Sequence, residues 1–252
     1  QSLGELNPII VVETEQPEDG DIPDDIKVEL TIDGNTTDPI YYDTTGLTGG
    51  DDQRFVIQYD KSTLATGTYG WTMLITEIHG SDESTRTFTG QVDVINRDAS
   101  EFGDNWTISG LARLYSGSNG KTIVLSSGNS MFFQDNQGTY ETPLHTTTTL
   151  TENFDGSFTL EYTDKSTLEF NSNGYLTETK DRYGNSTTYT YDGSNRLIEI
   201  EDPFERDIDI TYDGTSGLID KITDWGLRET TFTHNAAGNL TNITLPDPDG
   251  AG

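Results

Sequence analysis

The chain has 252 residues, with 44 acidic and 14 basic side chains and a formal net charge of −30 at pH 7. A charge of this sign repels the phosphate backbone, so the composition argues against a nucleic-acid-binding protein. Cysteine is absent, which excludes disulfides, thiolate metal sites and thiol nucleophiles. No apolar stretch approaches the length of a membrane-spanning helix, so we expect no membrane span.

Alternation of apolar and polar residues with period two dominates the first part of the chain. In "KVELTIDG", Val28, Leu30 and Ile32 alternate with polar side chains. This is the pattern of a strand that buries one face. Several such runs are separated by turn signals such as "DGN" and "TGGDDQ". Together they predict an immunoglobulin-like antiparallel β-sandwich over residues 1–100.

An acidic loop, "EDGDIPDD", precedes the first clear strand. Hard cations such as Ca²⁺ prefer closely spaced oxygen ligands around turns, so a weak calcium site is one interpretation of this loop. Its ligands would be Asp19, Asp21, Asp24 and Asp25. The loop does not match the full EF-hand pattern, and acidic turns without metal are more common. We expect no other cofactor.

Residues 101–131 form a stretch of low charge between two acidic regions. Within it, "FGDNWTISGLARLY" (102–115) is rich in large apolar side chains, whereas a flexible linker would be rich in Gly, Ser or charge. We predict a junction, or plug, buried between the sandwich and the segments that follow. The side chains expected to fill it are Trp106, Ile108, Leu111 and Leu114. The other two tryptophans, Trp71 and Trp225, are expected in the core.

A unit of 21 residues recurs in the second half of the chain, where Tyr191-Asp192-Gly193 returns as Tyr212-Asp213-Gly214. In four units an aromatic residue or histidine is followed six residues later by leucine, and the third unit contains a one-residue insertion. Recurrence in register over four units indicates a structural repeat. The landmark positions are Phe170, Leu176, Asp181, Tyr191, Asp192, Leu197, Asp202, Tyr212, Asp213, Leu218, Asp224, His234 and Leu240.

Each unit is predicted to be a β-hairpin. In "RDIDITYD", Ile208, Ile210 and Tyr212 face one side of a strand while aspartates face the other. The Asp-Gly after the tyrosine suits a tight turn in which the Asp side chain accepts a backbone N–H. A single hairpin cannot bury its aromatic face, but stacked hairpins can. The repeat tyrosines could also form a sugar-stacking platform, although such a stripe is more often core.

These units resemble the YD repeat of the RHS family, which includes bacterial polymorphic-toxin shells, Tc-toxin C components and teneurins. "GYLTETKDRYGNSTTYTYD" (174–192) follows the family pattern of Gly, Leu, Asp, Gly and terminal Tyr-Asp. Two positions depart from it, because Glu205 replaces an expected Gly and His234 replaces Tyr. Residues 102–115 resemble the segment by which such proteins begin the shell. The predicted fold is therefore all-β, with an immunoglobulin-like β-sandwich followed by the stacked β-hairpins of an RHS/YD-repeat spiral sheet over residues 132–252.

In complete members of the family, the shell encloses a C-terminal cargo or forms an adhesive body on the cell surface. The resemblance thus implies a non-enzymatic scaffold, the first part of a shell in a longer exported protein that is secreted or at the cell surface, with a bacterial origin expected. Its partners would be the rest of the shell and a C-terminal cargo domain. The alternative is an adhesion module that recognises a glycan or a cell-surface protein.

A glycoside-cleaving enzyme is the third interpretation, since acidic pairs such as Glu199/Glu201 and Asp207/Asp209 are frequent. A glycosidase needs two carboxylates at a set separation, one with a raised pKa. These pairs are expected on the solvent side of strands, where burial cannot select one of them. The three histidines, His79, His145 and His234, lack metal-ligand spacing, so we expect structural roles for them.

Overall fold

The structure, a computed structural model, describes residues 7–16, 21–144 and 146–247, and it is almost entirely β. The predicted all-β fold class is confirmed. The described residues fall into two compact units, one within residues 7–94 and the other within residues 95–247. The finer predicted boundaries, at residues 1–100, 101–131 and 132–252, stay predictions.

The described residues of the first unit form two antiparallel sheets. Its elements are β1 (Ile9–Glu15), β2 (Asp25–Ile32), β3 (Asn35–Thr36), β4 (Ile40–Asp43), β5 (Asp52–Gln58), a 3-10 turn (Lys61–Thr63), β6 (Gly67–His79) and β7 (Asp82–Val94). Strand β1 pairs with β5, while β2 pairs with β6 on one side and with β3 and β4 on the other, and β7 pairs with β6. Alternate residues of both sheets, such as Val12, Val28 and Phe55, enter one shared core. The immunoglobulin-like topology stays a prediction.

Trp71 lies against this core as a partly buried residue. It is paired with Gly90 across β6 and β7. A Cβ at position 90 would lie 2.6 Å from the indole ring. The glycine therefore provides the space in which the ring lies across the neighbouring strand.

The second unit is a long antiparallel meander. Its strands are β8 (Ala112–Gly117), β9 (Gly120–Leu125), β10 (Ser130–Asn136), β11 (Thr139–Glu141), β12 (Thr149–Glu152), β13 (Phe158–Glu161), β14 (Thr167–Phe170), β15 (Leu176–Lys180), β16 (Ser186–Tyr191), β17 (Leu197–Glu201), β18 (Asp207–Tyr212), β19 (Ile219–Thr223), β20 (Glu229–His234) and β21 (Leu240–Thr244). In the described residues, β8–β11 form a four-stranded sheet and β12–β21 form a ten-stranded sheet in chain order. We call the latter the repeat sheet.

A β-bulge recurs at the aromatic or histidine landmark of each repeat. The strand pairing shifts register at Phe170, Tyr191, Tyr212 and His234, which lie opposite Leu176, Leu197, Ile219 and Leu240. A bulge bends a strand and increases its twist. Bulges at a regular interval therefore give the sheet a repeated bend.

The third of these pairs corrects the prediction for Leu218, because Ile219 takes the landmark position. The Asp213 N–H donates to the Leu218 carbonyl, whereas the equivalent Asp192 N–H donates to the Arg196 carbonyl. The inserted residue therefore lies in the turn after Asp213 and moves the core position by one residue. Ile219 is accordingly buried.

Six turns of the repeat sheet share one hydrogen-bonding arrangement. A side-chain oxygen accepts the N–H groups of the residues two and four positions later. This occurs at Asn171, Asp181, Asp192, Asp202, Asp224 and Asn235. The Arg206 and Arg228 side chains add hydrogen bonds that lower the pKa of Asp202 and Asp224. The side chains of these aspartates thus hold the backbone of their own turns.

The third residue after each of these turn residues has a positive φ. Glycine or Asn holds this position in four turns, but Glu205 has a φ of 59° and Leu227 a φ of 61°. A left-handed conformation strains a residue that carries a Cβ. The turn geometry therefore favours glycine at position 205, where the family pattern has Gly and this chain has Glu.

Leu227→Gly is expected to raise the free energy of unfolding by about 0.5–1 kcal/mol, because relief of the left-handed strain exceeds the entropy cost of glycine. Urea titration of the full chain measures the change. Leu227→Ala is the matched control, since it removes the exposed side chain and keeps the strained conformation. Equal gains in both variants would assign the effect to the leucine side chain and contradict the strain argument.

Candidate functional site

The plug segment, residues 101–111, lies across the inner face of the repeat sheet, the face that carries its buried apolar side chains. The Ile219 N–H donates to the Glu101 carbonyl at 2.7 Å, and the Asp104 N–H donates to the Gly238 carbonyl at 3.1 Å. Directly before the segment, Ser100 Oγ donates to the Trp106 carbonyl at 2.7 Å. The irregular backbone is therefore fixed by its own hydrogen bonds and by bonds to the sheet.

The four predicted plug residues all contact residues of the repeat strands, within the second compact unit. Trp106, Ile108 and Leu111 are partly buried against a cluster formed by residues of the repeat sheet. Leu114 belongs to β8 and is buried in a neighbouring cluster with Phe170 and Leu176. The predicted packing of these four residues against the sandwich stays a prediction.

Sequence reasoning missed Phe102, which is 6% exposed and lies in the same cluster as Leu197, Ile210 and Ile219. The adjacent Gly103 has a φ of 104°, and a Cβ there would lie 3.1 Å from Nε2 of His234. Phe102 belongs to no alternating pattern, so periodicity does not identify it as a core residue.

Strand β8 is attached to a repeat turn at Gly174. The Leu114 N–H donates to the Gly174 carbonyl at 2.9 Å, and a Cβ on Gly174 would lie 2.0 Å from the Leu114 carbonyl oxygen. Next to this contact, the Arg113 guanidinium lies 3.2 Å from the centre of the Tyr175 ring. Glycine is thus required here by the approach of a second backbone as well as by its φ of 80°.

The repeat tyrosines connect successive units. The Tyr191 hydroxyl donates to the Leu176 carbonyl at 2.8 Å, and the Tyr212 hydroxyl donates to the Leu197 carbonyl at 2.8 Å. Burial raises the pKa of both tyrosines. Each hydroxyl therefore bonds to a carbonyl of the preceding repeat. His234 occupies the next equivalent position, and its buried Nε2 has no hydrogen-bond partner within the described ranges.

Glu101 lies near these tyrosines at the start of the plug segment. Burial raises the pKa of its carboxyl, and the positive charges of Arg113 and Arg196 oppose the rise. The Arg196 guanidinium lies 4.8 Å from the centre of the Tyr212 ring. The plug segment therefore places the Glu101 carboxyl in the interior of the second compact unit.

Replacing Glu101 by glutamine is expected to stabilise the protein at pH 7. A carboxyl whose folded pKa is raised contributes stability that is complete below its ordinary pKa and is lost as pH rises through the folded value. The wild type should therefore lose stability above pH 4.5, the ordinary value, and Glu101→Gln should lose less. Melting temperatures at pH 4 and pH 7 measure this, with the exposed Glu83→Gln as control. An equal gain for both variants would indicate relief of general charge repulsion instead.

The geometry does not assemble a metal site, since the described residues include no group of three or more His, Asp or Glu positioned to hold an ion. Asp24 Oδ2 accepts the Gly80 N–H at 2.7 Å, and Asp25 begins β2. Asp21 is exposed, and Asp19 lies outside the described residues. Calcium binding by the acidic loop stays a prediction.

The acidic pairs considered for glycoside cleavage lie on the outer face of the repeat sheet. Glu199 is opposite Asp209 and Glu201 is opposite Asp207 across β17 and β18, while the alternating Ile200 contributes to the inner face. Both aspartates are exposed. Two carboxylates that lie directly opposite each other in a sheet repel each other.

The histidines are dispersed. His79 ends β6 and pairs with Asp82 across the turn to β7, and His234 ends β20. His145 lies outside the described residues.

The expectation that Trp225 is a core residue is wrong, because its side chain is 60% exposed. The reason is its position in the turn between β19 and β20, directly after Asp224, whose carboxylate closes that turn. Phe204 and Tyr183 occupy the tips of two other turns and are also exposed. Sequence reasoning missed this set, although each member follows a landmark aspartate by one or two residues.

Residues 170–205 match the family model named RHS Repeat. This segment is therefore similar to an RHS repeat. It begins at the landmark Phe170 and includes β15, β16 and β17 with the bulge at Tyr191. The match supports the RHS/YD-repeat family, as predicted. No curated protein matches the chain. No described helix is long and apolar enough to cross a membrane.

Proposed function

We propose that this chain is a non-enzymatic scaffold that forms the first part of a β-shell in an exported RHS-type protein. The observation that carries the proposal is the plug segment, which lies on the inner face of an RHS-type sheet and is hydrogen-bonded to Ile219 and Gly238. In this sheet the apolar face is covered and the other face carries Thr, Asp and Glu. Such a two-faced sheet can form part of a shell.

The resemblance to the RHS family supports a proposal for the partners of this chain. They would be the remaining repeats of the shell and a C-terminal cargo domain. A secreted or cell-surface location of bacterial origin agrees with the occurrence of such repeats, and with a net charge of −30, whose self-repulsion is screened by salt.

Hydrogen exchange on the full chain tests whether the plug is a permanent part of the wall. The Ile219 amide, which donates to Glu101, and the Leu114 amide, which donates to Gly174, report its docking. Both amides should exchange as slowly as amides inside the repeat strands, because their hydrogen bonds break only when the second compact unit unfolds. Limited proteolysis should spare the bonds between Glu101 and Arg113. Fast exchange at both amides with rapid cleavage would contradict a rigid scaffold and favour a tethered binding module.

A second experiment tests the absence of catalysis. Neutral and acidic oligosaccharides are incubated with the wild type and with a Glu199→Gln/Asp209→Asn variant. No cleavage above buffer is expected from either protein. Cleavage by the wild type that the double variant loses would overturn the non-enzymatic proposal.

A further inference from the structure

We propose that one edge of the repeat sheet binds the surface of a zwitterionic lipid bilayer through exposed apolar side chains at the tips of its turns. This row of side chains, which we call the apolar edge, consists of Tyr183, Phe204, Trp225 and Leu227. They are 73%, 77%, 60% and 83% exposed. The inference does not depend on the scaffold function, because it concerns the turn tips and not the covered inner face.

The meander places these side chains on the same edge of the sheet. They lie in the turns after β15, β17 and β19, and every second turn of an antiparallel meander lies at the same edge. Successive turns on one edge are separated by two strand spacings, about 9–10 Å. A bilayer surface is flat over such distances, so neighbouring tips can contact it together.

The opposite edge of the sheet has tips of a different kind. In the turns after β14, β16, β18 and β20, the tips contain only small or polar residues, at positions 172–173, 193–195, 214–216 and 236–237. The exception at that edge is Phe154, in the turn after β12. The repeat fold forms both edges, so it does not by itself require apolar tips at one of them. Exposed apolar side chains in a contiguous row mark a contact surface.

Leu227 contributes little to the stability of its own fold. Its side chain is exposed, so it buries almost no apolar surface. Its φ of 61° is in the left-handed region, which strains a residue that carries a Cβ. A leucine that is both strained and exposed points to a function outside the folded chain.

The backbone of these turns is suited to a site from which water is removed. Asp181, Asp202 and Asp224 each accept the N–H groups of the residues two, three and four positions later. An N–H group that enters a bilayer without a hydrogen-bond partner costs free energy. Because the N–H groups at these tips already have partners, the tips can lose water at a low cost.

The side chains of the apolar edge suit the boundary between lipid headgroups and hydrocarbon. Tyr and Trp are enriched at this boundary, because the ring is apolar while its O–H or N–H stays hydrated. The Arg206 guanidinium lies 5.4 Å from the centre of the Phe204 ring and 5.5 Å from that of the Trp225 ring, so one cation joins two neighbouring turns. An arginine at this depth can direct its charge to lipid phosphate while its stem stays among apolar groups.

Local charge favours a zwitterionic bilayer. Asp202 pairs with Arg206, and Asp224 pairs with Arg228 at 2.6 Å, so the turns carry little net charge. The chain as a whole has a charge of −30, which repels anionic lipids, nucleic acid and a second copy of itself. A phosphatidylcholine surface, which has no net charge, meets no such repulsion.

Co-sedimentation of the full chain with phosphatidylcholine vesicles measures binding, and phosphatidylcholine brominated in its acyl chains measures insertion by quenching tryptophan fluorescence. The wild type should bind, and the exposed Trp225 should be quenched. The Phe204→Ala/Leu227→Gly variant should bind at least about tenfold more weakly, because two apolar side chains that would leave water are lost. The matched control is Phe154→Ala, which removes a fully exposed ring from a turn on the opposite edge and should bind as the wild type does.

Leu227→Gly alone separates binding from folding. Relief of the left-handed strain should raise the stability of this variant, while loss of the leucine side chain should weaken its binding to vesicles. Urea titration and co-sedimentation of the same protein measure the two effects. A variant that is more stable and binds more weakly cannot owe its loss of binding to unfolding.

The outcomes distinguish a membrane from other contacts. Retained vesicle binding in the double variant, or an equal loss in Phe154→Ala, would overturn the apolar edge as the site. No binding to phosphatidylcholine vesicles, or binding without quenching by the brominated lipid, would overturn the membrane proposal. A wild-type dimer that the double variant converts to monomer would instead assign the apolar edge to a second copy of the chain.

Discussion

Replacing Tyr212 by alanine is expected to lower the free energy of unfolding of the second unit by about 3–5 kcal/mol, the usual range for aromatic truncation in a core. The ring packs against the cluster that contains Leu197 and Ile219. Its hydroxyl donates to the Leu197 carbonyl, and Arg196 lies over the ring. The substitution removes all three contacts at a bulge that joins two repeats.

Two further variants separate these contributions. Tyr212→Phe keeps the ring and removes the hydroxyl, so about 1 kcal/mol is expected. Tyr183→Ala, at an exposed tyrosine in a turn, should change stability by less than about 0.5 kcal/mol. Urea titration in a Trp71→Phe background confines tryptophan fluorescence to the second unit. A loss below 1 kcal/mol for Tyr212→Ala, with unfolding still cooperative, would mean that the tyrosines are exposed and would favour the binding-module interpretation.

The inner face of the repeat sheet was accessible to sequence reasoning because two periodicities coincide. Alternation with period two places Ile210 and Tyr212 on one face, and the 21-residue spacing places Leu176 and Leu197 at equivalent bulges. Both periodicities are local consequences of strand geometry and turn length. They require no knowledge of the tertiary path.

The errors arose where a local pattern has more than one solution. Between Tyr212 and Asp224 an insertion can occupy several positions, and only the hydrogen bonds of the turn place it before Leu218. Tryptophan is usually buried, but Asp224 fixes a turn around Trp225 and exposes it. Local hydrogen bonding decides both cases.

The contacts of the plug segment could not be predicted from the sequence, because they depend on tertiary structure. Its low charge predicts burial, yet no period indicates that Phe102 is a central core residue or that Glu101 approaches Tyr191 and Tyr212. These contacts depend on the path of an irregular segment over a sheet formed a hundred residues later in the chain. Hydrophobic content alone does not specify such a path.

Gly174→Ala is expected to have the other large effect and to detach β8 from the repeat sheet. A Cβ at this position would lie 2.0 Å from the Leu114 carbonyl oxygen and 2.9 Å from its carbonyl carbon. Both are backbone atoms, so no side-chain rotation relieves the overlap, and either the β8 backbone or the turn must move. The hydrogen bond from Leu114 N–H to the Gly174 carbonyl would break with that movement.

Gly184→Ala is the matched control, because Gly184 has a φ of 88° at the same turn position and no atom within 4 Å of its would-be Cβ. It should cost about 1 kcal/mol from left-handed strain alone, whereas Gly174→Ala should cost more than about 3 kcal/mol because a buried backbone contact is lost as well. Urea titration gives both values, and hydrogen exchange at Leu114 reports the docking directly. Equal costs with unchanged Leu114 protection would show that β8 does not depend on this contact. A large cost with fast Leu114 exchange would show that the attachment of β8 to the repeat sheet depends on Gly174.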